Sequence, residues 1–444
     1  MNSVKSAVKS AMSCTLVASL VLFGSVHAPA ASLSAGAARA NITPDPGIKN
    51  WVTDKPYGSV LDSVYVRALV LDDGKRQIAI LSCDLLNTTE SGVARLRQAV
   101  HDSTGIPVRH ILVNASHSHS APLCPWYDED GTLSGEADYL AWAKMLPRIC
   151  ADVTRSAQAD LEPAVLSVGR AYAGEWLFNR RPISPVDTVS TTFVPENPYA
   201  LPDGLRFRPF DPTMMVLSVT DTDRNAIGTI FSLPCHAVSN YKETEAISAG
   251  WPGAVCENIE ARLGGQALFL QGCAGDIVPS RRGLRATEAM GRFFANRALA
   301  AHKRRHPLRP SPLSVAIDTL VLPLDRDVRE RWEKDSTPVE IQVVSHGPLA
   351  IVALPGEPLV ALAGAIQDRS PFPHTLVLGY TNGYGVGYVG LPGEMALGGY
   401  ESTRAASADE SGLFIVETAA RLLSELHNAQ TAVPAEQDSV GSGD

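Results

Sequence analysis

Two histidines separated by a single serine, His117 and His119, are the residues of this chain best placed to do chemistry. They follow an apolar, strand-prone stretch at 109–115, and alternate side chains of an extended chain leave on the same side. Two imidazoles at a strand end can share a cation, or one can hold it while the other acts on a substrate. Polar histidines in a loop are the simpler alternative. The pair therefore predicts a metal or acid–base site that the rest of the chain must support.

Two further candidate ligands follow apolar strands later in the chain. His236 comes after a predicted strand at 226–233, and Glu357 comes after a predicted strand at 349–354. Open α/β sheets place their sites at the carboxyl ends of strands. Hydrolytic zinc sites use about three N or O ligands and keep a position for water, whose pKa the metal lowers. Three histidines and one glutamate can therefore converge here, although Glu357 would also suit a helix N-terminus.

The elements that must position these residues alternate between strands and helices. A strand at 77–83, a helix at 88–101 and the strand before His117 make a parallel crossover unit. The Pro-rich stretch 179–212 is a loop long enough to build or cover a site, and 36–58 is predicted as an ordered loop. Further strands are predicted at 64–71, 164–171, 214–219, 267–271, 313–322, 339–344 and 375–378, and further helices at 137–157, 251–263, 284–302, 359–367 and 413–426.

The composition agrees with one large folded domain. The 444 residues are 45% hydrophobic and 19% charged, which excludes a disordered or fibrous chain. The net charge of -9 and the absence of a basic run longer than Lys303-Arg304-Arg305 argue against a nucleic-acid surface. No internal repeat or linker is evident. We therefore expect an α/β fold: a single large domain with mixed β-sheets flanked by helices, and a metal site at the C-terminal ends of strands.

The N-terminus has the pattern of a secretory signal. Lys5 and Lys9 precede an apolar run at 11–26, and small residues around Ala30 suit a cleavage site. A retained membrane anchor is the alternative, but the run is short for a span. We expect a signal peptide at 1–30, a hydrolase domain at 31–428 and a disordered tail at 429–444. A secreted protein of the bacterial periplasm is the expected localisation, and six mature cysteines would allow one or two disulfides there.

A series of short blocks runs through the mature chain between about 37 and 402. In order they are Ile42-Thr43-Pro44, Arg67-Ala68, Ser82 to Asp84, Ser116 to Ser120, Asn179-Arg180, His236, Trp251-Pro252-Gly253, Ala274-Gly275-Asp276, Pro355-Gly356-Glu357, Gly387-Tyr388-Val389 and Tyr400. Each block is weak alone, but their order is specific. With these blocks the chain resembles the neutral, non-lysosomal ceramidase family.

The resemblance implies a role for particular residues of this chain. Zinc would be held by His117, His236, Glu357 and Tyr388. His119 and Tyr400 would face the substrate and polarise the scissile carbonyl or stabilise its oxyanion. Arg180 would orient the substrate, with Arg181 one position away as the alternative. Without the resemblance, ordinary aromatic packing would be the simpler explanation of both tyrosines.

The chain departs from the family pattern at several positions. Val278 occupies the place of the family's active-site serine, and a valine side chain offers neither a hydrogen bond nor a nucleophile. Gly250 stands where an acidic residue is expected before Trp251, and Ala121 replaces a glycine. The sequence also ends before the C-terminal β-sandwich domain of full-length ceramidases. We therefore expect the metal chemistry to be retained and leave the acyl substrate open.

The sequence predicts a secreted zinc-dependent hydrolase that cleaves a ceramide-like N-acyl amide with metal-activated water. The alternatives are an esterase, lactonase or other acyl hydrolase on the same site, and a non-catalytic periplasmic binding protein. An amidohydrolase barrel is disfavoured because strands and helices do not alternate regularly. The expected partner is a small-molecule or lipid amide, with transient contact to a membrane surface and no nucleic acid. The sequence leaves the metal open, because N and O ligands suit several ions, and it also leaves the oligomeric state open.

Overall fold

The computed structural model describes residues 33–128, 130–240 and 245–431. The predicted signal segment, 1–30, and the predicted tail beyond position 431 lie outside the described residues. The last helix reaches Thr431 and so includes positions 429–431 of that tail. None of the helices in the described part of the chain has the length and hydropathy that a bilayer span requires.

The strands, in chain order, are β1 Ser34–Asn41, β2 Lys49–Asn50, β3 Lys55–Pro56, β4 Tyr65–Asp72, β5 Gln77–Cys83, β6 Ile111–Ala115, β7 Glu162–Pro163, β8 Val165–Tyr172, β9 Leu177–Asn179, β10 Thr213–Thr220, β11 Ala226–Leu233, β12 Gln266–Gln271, β13 Ile277–Pro279, β14 His306–Pro307, β15 Leu313–Pro323, β16 Ser336–His346, β17 Leu349–Ala353, β18 Glu357–Pro358, β19 His374–Leu378 and β20 Tyr388–Val389. The α-helices are α1 Glu90–Thr104, α2 Ala137–Ala143, α3 Leu146–Ala159, α4 Gly250–Leu263, α5 Leu284–Lys303, α6 Arg326–Trp332, α7 Val360–Gln367 and α8 Ser411–Thr431.

Three mixed sheets form the framework of the described chain. Their strand orders are β6-β5-β4-β1-β7, β12-β11-β10-β8-β14 and β15-β16-β17-β19. Each sheet contains one parallel pair, namely β5 with β6, β11 with β12, and β17 with β19, while its other neighbours are antiparallel. The expected α/β class with mixed sheets flanked by helices is confirmed.

The sheets pack around a shared apolar centre. Leu69, Leu268 and Ile351, each from a different sheet, belong to one central cluster. Helices cover the outer faces: α1 and α3 on the first sheet, α4 and α5 on the second, and α7 and α8 on the third. Both faces of the first sheet are buried along β4 and β5, which is why these strands are mostly apolar and do not alternate with exposed polar residues.

Two buried amide side chains tie the strand ends of the three sheets together. Asn114, in β6, accepts a hydrogen bond from Gln271 N at 2.8 Å and donates to Gly379 O at 2.9 Å. Gln271, at the end of β12, donates through Nε2 to Cys235 O at 2.9 Å and to Ser116 O at 3.2 Å. An amide buried away from water costs free energy unless it is hydrogen-bonded. These bonds hold the segments after β6, β11 and β19 side by side.

The structure corrects the sequence-based elements at three places. Ser34–Asn41, most of which was predicted as loop, is β1 and pairs antiparallel with β4. Its Ala-rich sequence lacks the β-branched residues that mark a strand, so pairing decides its conformation. The predicted helix at 137–157 is divided into α2 and α3, with Pro147 in the first turn of α3. The short helix α6 was not predicted.

The cysteines of the described chain are all buried and unpaired. They are Cys83, Cys124, Cys150, Cys235, Cys256 and Cys273. Burial raises the pKa of Cys124 to about 12. The thiols therefore belong to the apolar core, and the disulfides that the sequence allowed are not formed among these residues.

Candidate metal centre

Three histidines lie together where the carboxyl ends of the sheets meet. His117 and His119 follow β6, and His236 follows β11. One ring nitrogen from each lies within 4.8 Å of the others, close enough to hold a metal ion. The Nε2 atoms of His117 and His119 are 3.1 Å apart. Two sheets therefore supply the three imidazoles.

The third sheet leads to a carboxylate that faces two of these rings. Glu357, after β17, places Oε2 3.4 Å from His117 Nε2 and 3.2 Å from His236 Nε2. Glu357 opens β18, which pairs parallel with β20 so that Glu357 lies opposite Tyr388. The Tyr388 hydroxyl is 3.5 Å from His236 Nε2. The four residues implied as zinc ligands thus surround one point.

Hydrogen bonds to main-chain carbonyls fix the tautomers of two histidines. His117 Nδ1 lies 2.5 Å from Leu86 O, and His236 Nδ1 lies 2.6 Å from Ala274 O. A carbonyl only accepts, so each Nδ1 carries a proton and each ring directs its Nε2 toward Glu357. Two Nε2 atoms and an ionised carboxylate that converge in a buried space are stabilised by a cation between them, either a proton or a metal ion. The donor set fits a borderline divalent ion such as zinc.

The sequence-based argument assumed that the chain is extended at His117 and His119, but the structure shows that it is not. β6 ends at Ala115, and His117 has a φ of 60°, in the left-handed region that non-glycine residues seldom adopt. The backbone N–H of His117 donates to Leu85 O at 3.0 Å, and that of His119 donates to Ala237 O at 3.2 Å. The rings nevertheless meet edge to face, with centroids 4.7 Å apart. A strained turn held by its neighbours is common at functional sites.

Burial and neighbouring charges set the protonation of the cluster. Although burial raises the pKa of Glu357, the facing His117 and His236 hold it well below its usual range. Burial, together with the charge of Arg180, lowers the pKa of His236 to about 4. Burial and the other two histidines lower the pKa of His119 well below 6.5. Near neutral pH the centre is therefore an ionised carboxylate with neutral His119 and His236 rings.

Two tyrosines that the sequence argument missed hold Glu357 from behind. Tyr380 Oη donates to Glu357 Oε2 at 3.2 Å, and Tyr384 Oη donates to Oε1 at 2.6 Å. The loop that carries Tyr384 is itself anchored, because Glu90 accepts from the main-chain N–H groups of Tyr384 and Gly385 at 2.8 and 2.6 Å. The Gly- and Tyr-rich composition of 379–400 was the available signal for them.

The structure separates the two adjacent arginines. Arg180 Nη2 donates to the Tyr388 hydroxyl at 3.1 Å and to Gly275 O at 2.8 Å. Its guanidinium carbon lies 5.3 Å from the centre of the Tyr400 ring. Arg181 instead donates to Glu394 O at 2.7 Å. Of the two arginines, Arg180 contacts the predicted site residues.

Tyr400 forms part of an aromatic wall beside the centre. Its ring centroid is 5.9 Å from that of Tyr388 and 5.3 Å from that of Phe193, both in edge-to-face geometry. Phe193 comes from the long loop 179–212, which is bound to the following segment by a hydrogen bond from Tyr400 N to Thr191 Oγ1 at 3.0 Å. The loop therefore contributes side chains to the wall of the site.

The position of the family serine lies in an apolar setting. Val278 is fully buried in β13 and pairs with Phe178 of β9. The neighbouring residue Ile277 reaches the centre through its main chain, since its carbonyl is 3.1 Å from His236 Nδ1. β13 thus helps to orient His236 through its main chain, while Val278 adds only a hydrocarbon side chain.

No protein-family model matches the sequence, and no curated protein sequence is significantly similar to it. Solved structures of ceramidases share its fold. A neutral ceramidase from Pseudomonas aeruginosa superimposes with a TM-score of 0.71 at 16% identity, over 93% of this chain and 76% of that one. A ceramidase complexed with C2 gives a TM-score of 0.71 at 16% identity, over 93% and 77% of the two chains. The resemblance read from the sequence is confirmed at the level of the fold.

Proposed function

We propose that this protein is a zinc-dependent hydrolase that cleaves an N-acyl amide of the ceramide type. The observation that carries the proposal is the convergence of His117 Nε2, His236 Nε2 and Glu357 Oε2 in a buried space. The neutral ceramidase fold supports the reaction class, because it surrounds that cluster over nearly the whole chain. The amide substrate is taken from the structural neighbours and is analogy.

The residues present fit a metal ion. His117, His236, Glu357 and Tyr388 would hold zinc, which supplies Lewis-acid polarisation of a carbonyl oxygen and lowers the pKa of a water molecule. The chain itself preorganises the ligands: the carbonyls of Leu86 and Ala274 fix the two rings, and the tyrosine hydroxyls behind Glu357 fix the carboxylate. Such outer partners orient ligands and raise their basicity.

Three further side chains would act on the substrate. His119 is neutral near pH 7 and lies beside His117, so it can take a proton from water and pass it to the leaving amine. Arg180 and Tyr400 face each other at the same wall. Their polar hydrogens would stabilise the negative charge that develops on the carbonyl oxygen.

An ester or lactone substrate is the second candidate, and Val278 favours it. An amide nitrogen is a poor leaving group that needs a well-placed proton donor, whereas an alkoxide needs less help. The buried valine at the family serine position removes one polar group from the neighbourhood of the centre. Matched amide and ester substrates with the same acyl chain would distinguish the two candidates.

Secretion is also part of the proposal. The basic and apolar pattern of the first thirty residues supports export, and a lipid amide substrate would bring the protein into transient contact with a membrane surface. N-terminal sequencing of the protein recovered from the periplasm of an expressing bacterium tests it. A mature N-terminus near Ala30 is expected, and an uncleaved cytoplasmic product would contradict export.

The decisive experiment measures metal and hydrolysis on the same samples. Wild type, His117→Ala and His236→Ala are analysed for zinc by mass spectrometry and assayed with amide and ester substrates. His346→Ala is the control, because His346 is equally buried but lies in β16, outside the cluster. We expect about one zinc per wild-type chain. Both cluster variants should lose zinc and hydrolysis, and the control should keep both. Folded wild type without bound metal would overturn the proposal.

A further inference from the structure

A second buried cluster of charges lies next to the metal centre. Arg180, Arg181 and Glu401 are 3%, 0% and 0% exposed. Glu401 Oε1 accepts from Arg180 Nε at 2.6 Å, and Oε2 accepts from Arg181 Nη1 at 2.7 Å. One carboxylate thus binds two adjacent arginines, with a different oxygen for each.

Arg180 contacts the supporting residue Glu401 through one nitrogen and the residues of the candidate site through another. Nε donates to Glu401, while Nη2 donates to Tyr388 Oη and Gly275 O. Among the described residues, Nη1 is the guanidinium nitrogen of Arg180 that makes no hydrogen bond. An arginine side chain has several rotatable bonds, so its planar fork points in one direction only where it is anchored from more than one side.

Arg181 anchors Glu401 from the other side without approaching the metal centre. Its Nη2 donates to Glu394 O at 2.7 Å, and its main-chain N–H donates to Asn179 Oδ1 at 3.0 Å. Glu401 is therefore held by a residue that is itself fixed. Breaking a buried charge pair leaves an uncompensated charge, so none of these three side chains can turn away cheaply.

We propose that Glu401 is a positioning residue, which fixes the guanidinium of Arg180 against Tyr388 and Tyr400 so that Nη1 is directed to an acceptor oxygen of the substrate. This inference rests on the proposed function for its effect on rate, since Arg180 acts there on an acyl substrate. Its structural part, the placement of Arg180 by Glu401, stands apart from any activity.

The competing explanation is that Glu401 only neutralises buried charge, and a set of variants separates the two. Two arginines and one glutamate leave one net positive charge in the wild-type cluster. Glu401→Gln alone raises that to two and risks unfolding. The double variant Glu401→Gln with Arg181→Met restores one net positive charge but leaves Arg180 without its anchor. Arg181→Met alone keeps the contact between Glu401 and Arg180.

Crystal structures give the first readout. The distance between Arg180 Nη2 and Tyr388 Oη is 3.1 Å. We expect it to persist in Arg181→Met and in the control Glu394→Gln, whose carboxylate pairs with Arg208 and with Arg181 but makes no contact with Arg180. It should be lost in the double variant. If the double variant keeps that contact, Glu401 does not position Arg180 and the inference is wrong.

Kinetics on the zinc-loaded proteins give the second readout. The double variant should fall about 100-fold in kcat/KM below wild type, whose cluster has the same net charge, and below Arg181→Met, since misplacing a positioning group by about 1 Å costs this much. The loss should lie in kcat, with zinc content and melting temperature matched. Equal kinetics in the two variants would overturn the inference. If wild type hydrolyses nothing, the proposed function fails while the crystal structures still test the position of Arg180.

Discussion

The cluster around Glu357 and the ion pair of Arg67 with Asp84 are both buried, yet the two carboxylates have different kinds of partner. Asp84 Oδ2 accepts from Arg67 Nη1 at 3.0 Å and from Tyr65 N at 2.9 Å, so acceptors meet donors. Around Glu357, the Nε2 atoms of two histidines face one carboxylate oxygen at 3.4 and 3.2 Å. The balance of donors and acceptors, more than burial, therefore distinguishes a structural polar cluster from one that requires a ligand.

The protonation of the two carboxylates differs in the same way. Burial raises the pKa of Asp84 even though Arg67 acts against it. Glu357 is equally buried, but its two facing histidines hold its pKa well below the usual range. Both residues come from blocks on which the sequence-based resemblance rests, and only Glu357 lies at the candidate metal centre. A matching block therefore indicates the fold and does not by itself indicate a site residue.

Breaking the ion pair should have the largest effect on stability. Asp84→Asn removes the carboxylate that Arg67 Nη1 contacts and leaves only Glu260, 3.7 Å from Arg67 Nε, to offset the buried guanidinium. We therefore expect a loss of about 3 kcal/mol in the free energy of unfolding, the lower end for a broken buried pair. Zinc content at neutral pH should not change, because neither residue contacts the histidines. Urea unfolding and metal analysis on one preparation measure both quantities. Replacing both Asp84 and Arg67 with apolar residues should recover most of the stability. If Asp84→Asn instead lost zinc at unchanged stability, the ion pair would belong to the metal site and not to the structural framework.

The sequence was sufficient to predict the elements that end at the centre. β11 was predicted with the bounds that the structure has, and β6 and β17 to within two residues, because each is a short, mostly apolar run that ends close to a turn-forming Pro or Ser. The convergence of His117, His236 and Glu357 followed from the rule that sites lie at the carboxyl ends of strands. These predictions needed only local patterns.

The supporting residues could not be predicted because they pair across long stretches of chain. Asn114 bonds Gln271 and Gly379, and Glu401 bonds Arg180, with more than 150 positions between the partners in each case. A lone Asn or Glu has no periodicity that indicates such a partner. The left-handed φ of His117 is likewise imposed by hydrogen bonds from neighbouring segments.

The tyrosine behind the carboxylate provides a finer test of the same comparison. Tyr384→Phe removes the hydrogen bond to Glu357 Oε1, and loss of such an outer partner weakens metal binding about 10–100-fold. Tyr57→Phe is the matched control, because the buried Tyr57 hydroxyl donates to Ala121 O at 2.7 Å, away from the carboxylate. Competition with a chelator measures the zinc affinity of both. An equal loss in both variants would mean that Tyr384 acts only through packing.

A third carboxylate, that of the partly buried Asp62, has only neutral hydrogen-bond partners and gives the smallest effect. Ser248 Oγ and Ala249 N donate to it at 2.5 and 2.7 Å, and burial raises its pKa from 3.8 to about 6. The folded state thus binds more protons than the unfolded state between these values. The stability that Asp62 contributes is present below pH 3.8 and is lost as the pH rises through about 6.

We expect Asp62→Asn to remove this pH dependence, because the amide keeps an acceptor for Ala249 N and does not ionise. Relative to wild type, the variant should gain about 1–2 kcal/mol between pH 4 and pH 7, a value reduced for the partial exposure of the side chain. Urea unfolding of both proteins at the two pH values measures the difference. If the difference in unfolding free energy between variant and wild type were the same at both pH values, Asp62 would stay ionised at both. It would then keep its charge without a cationic partner.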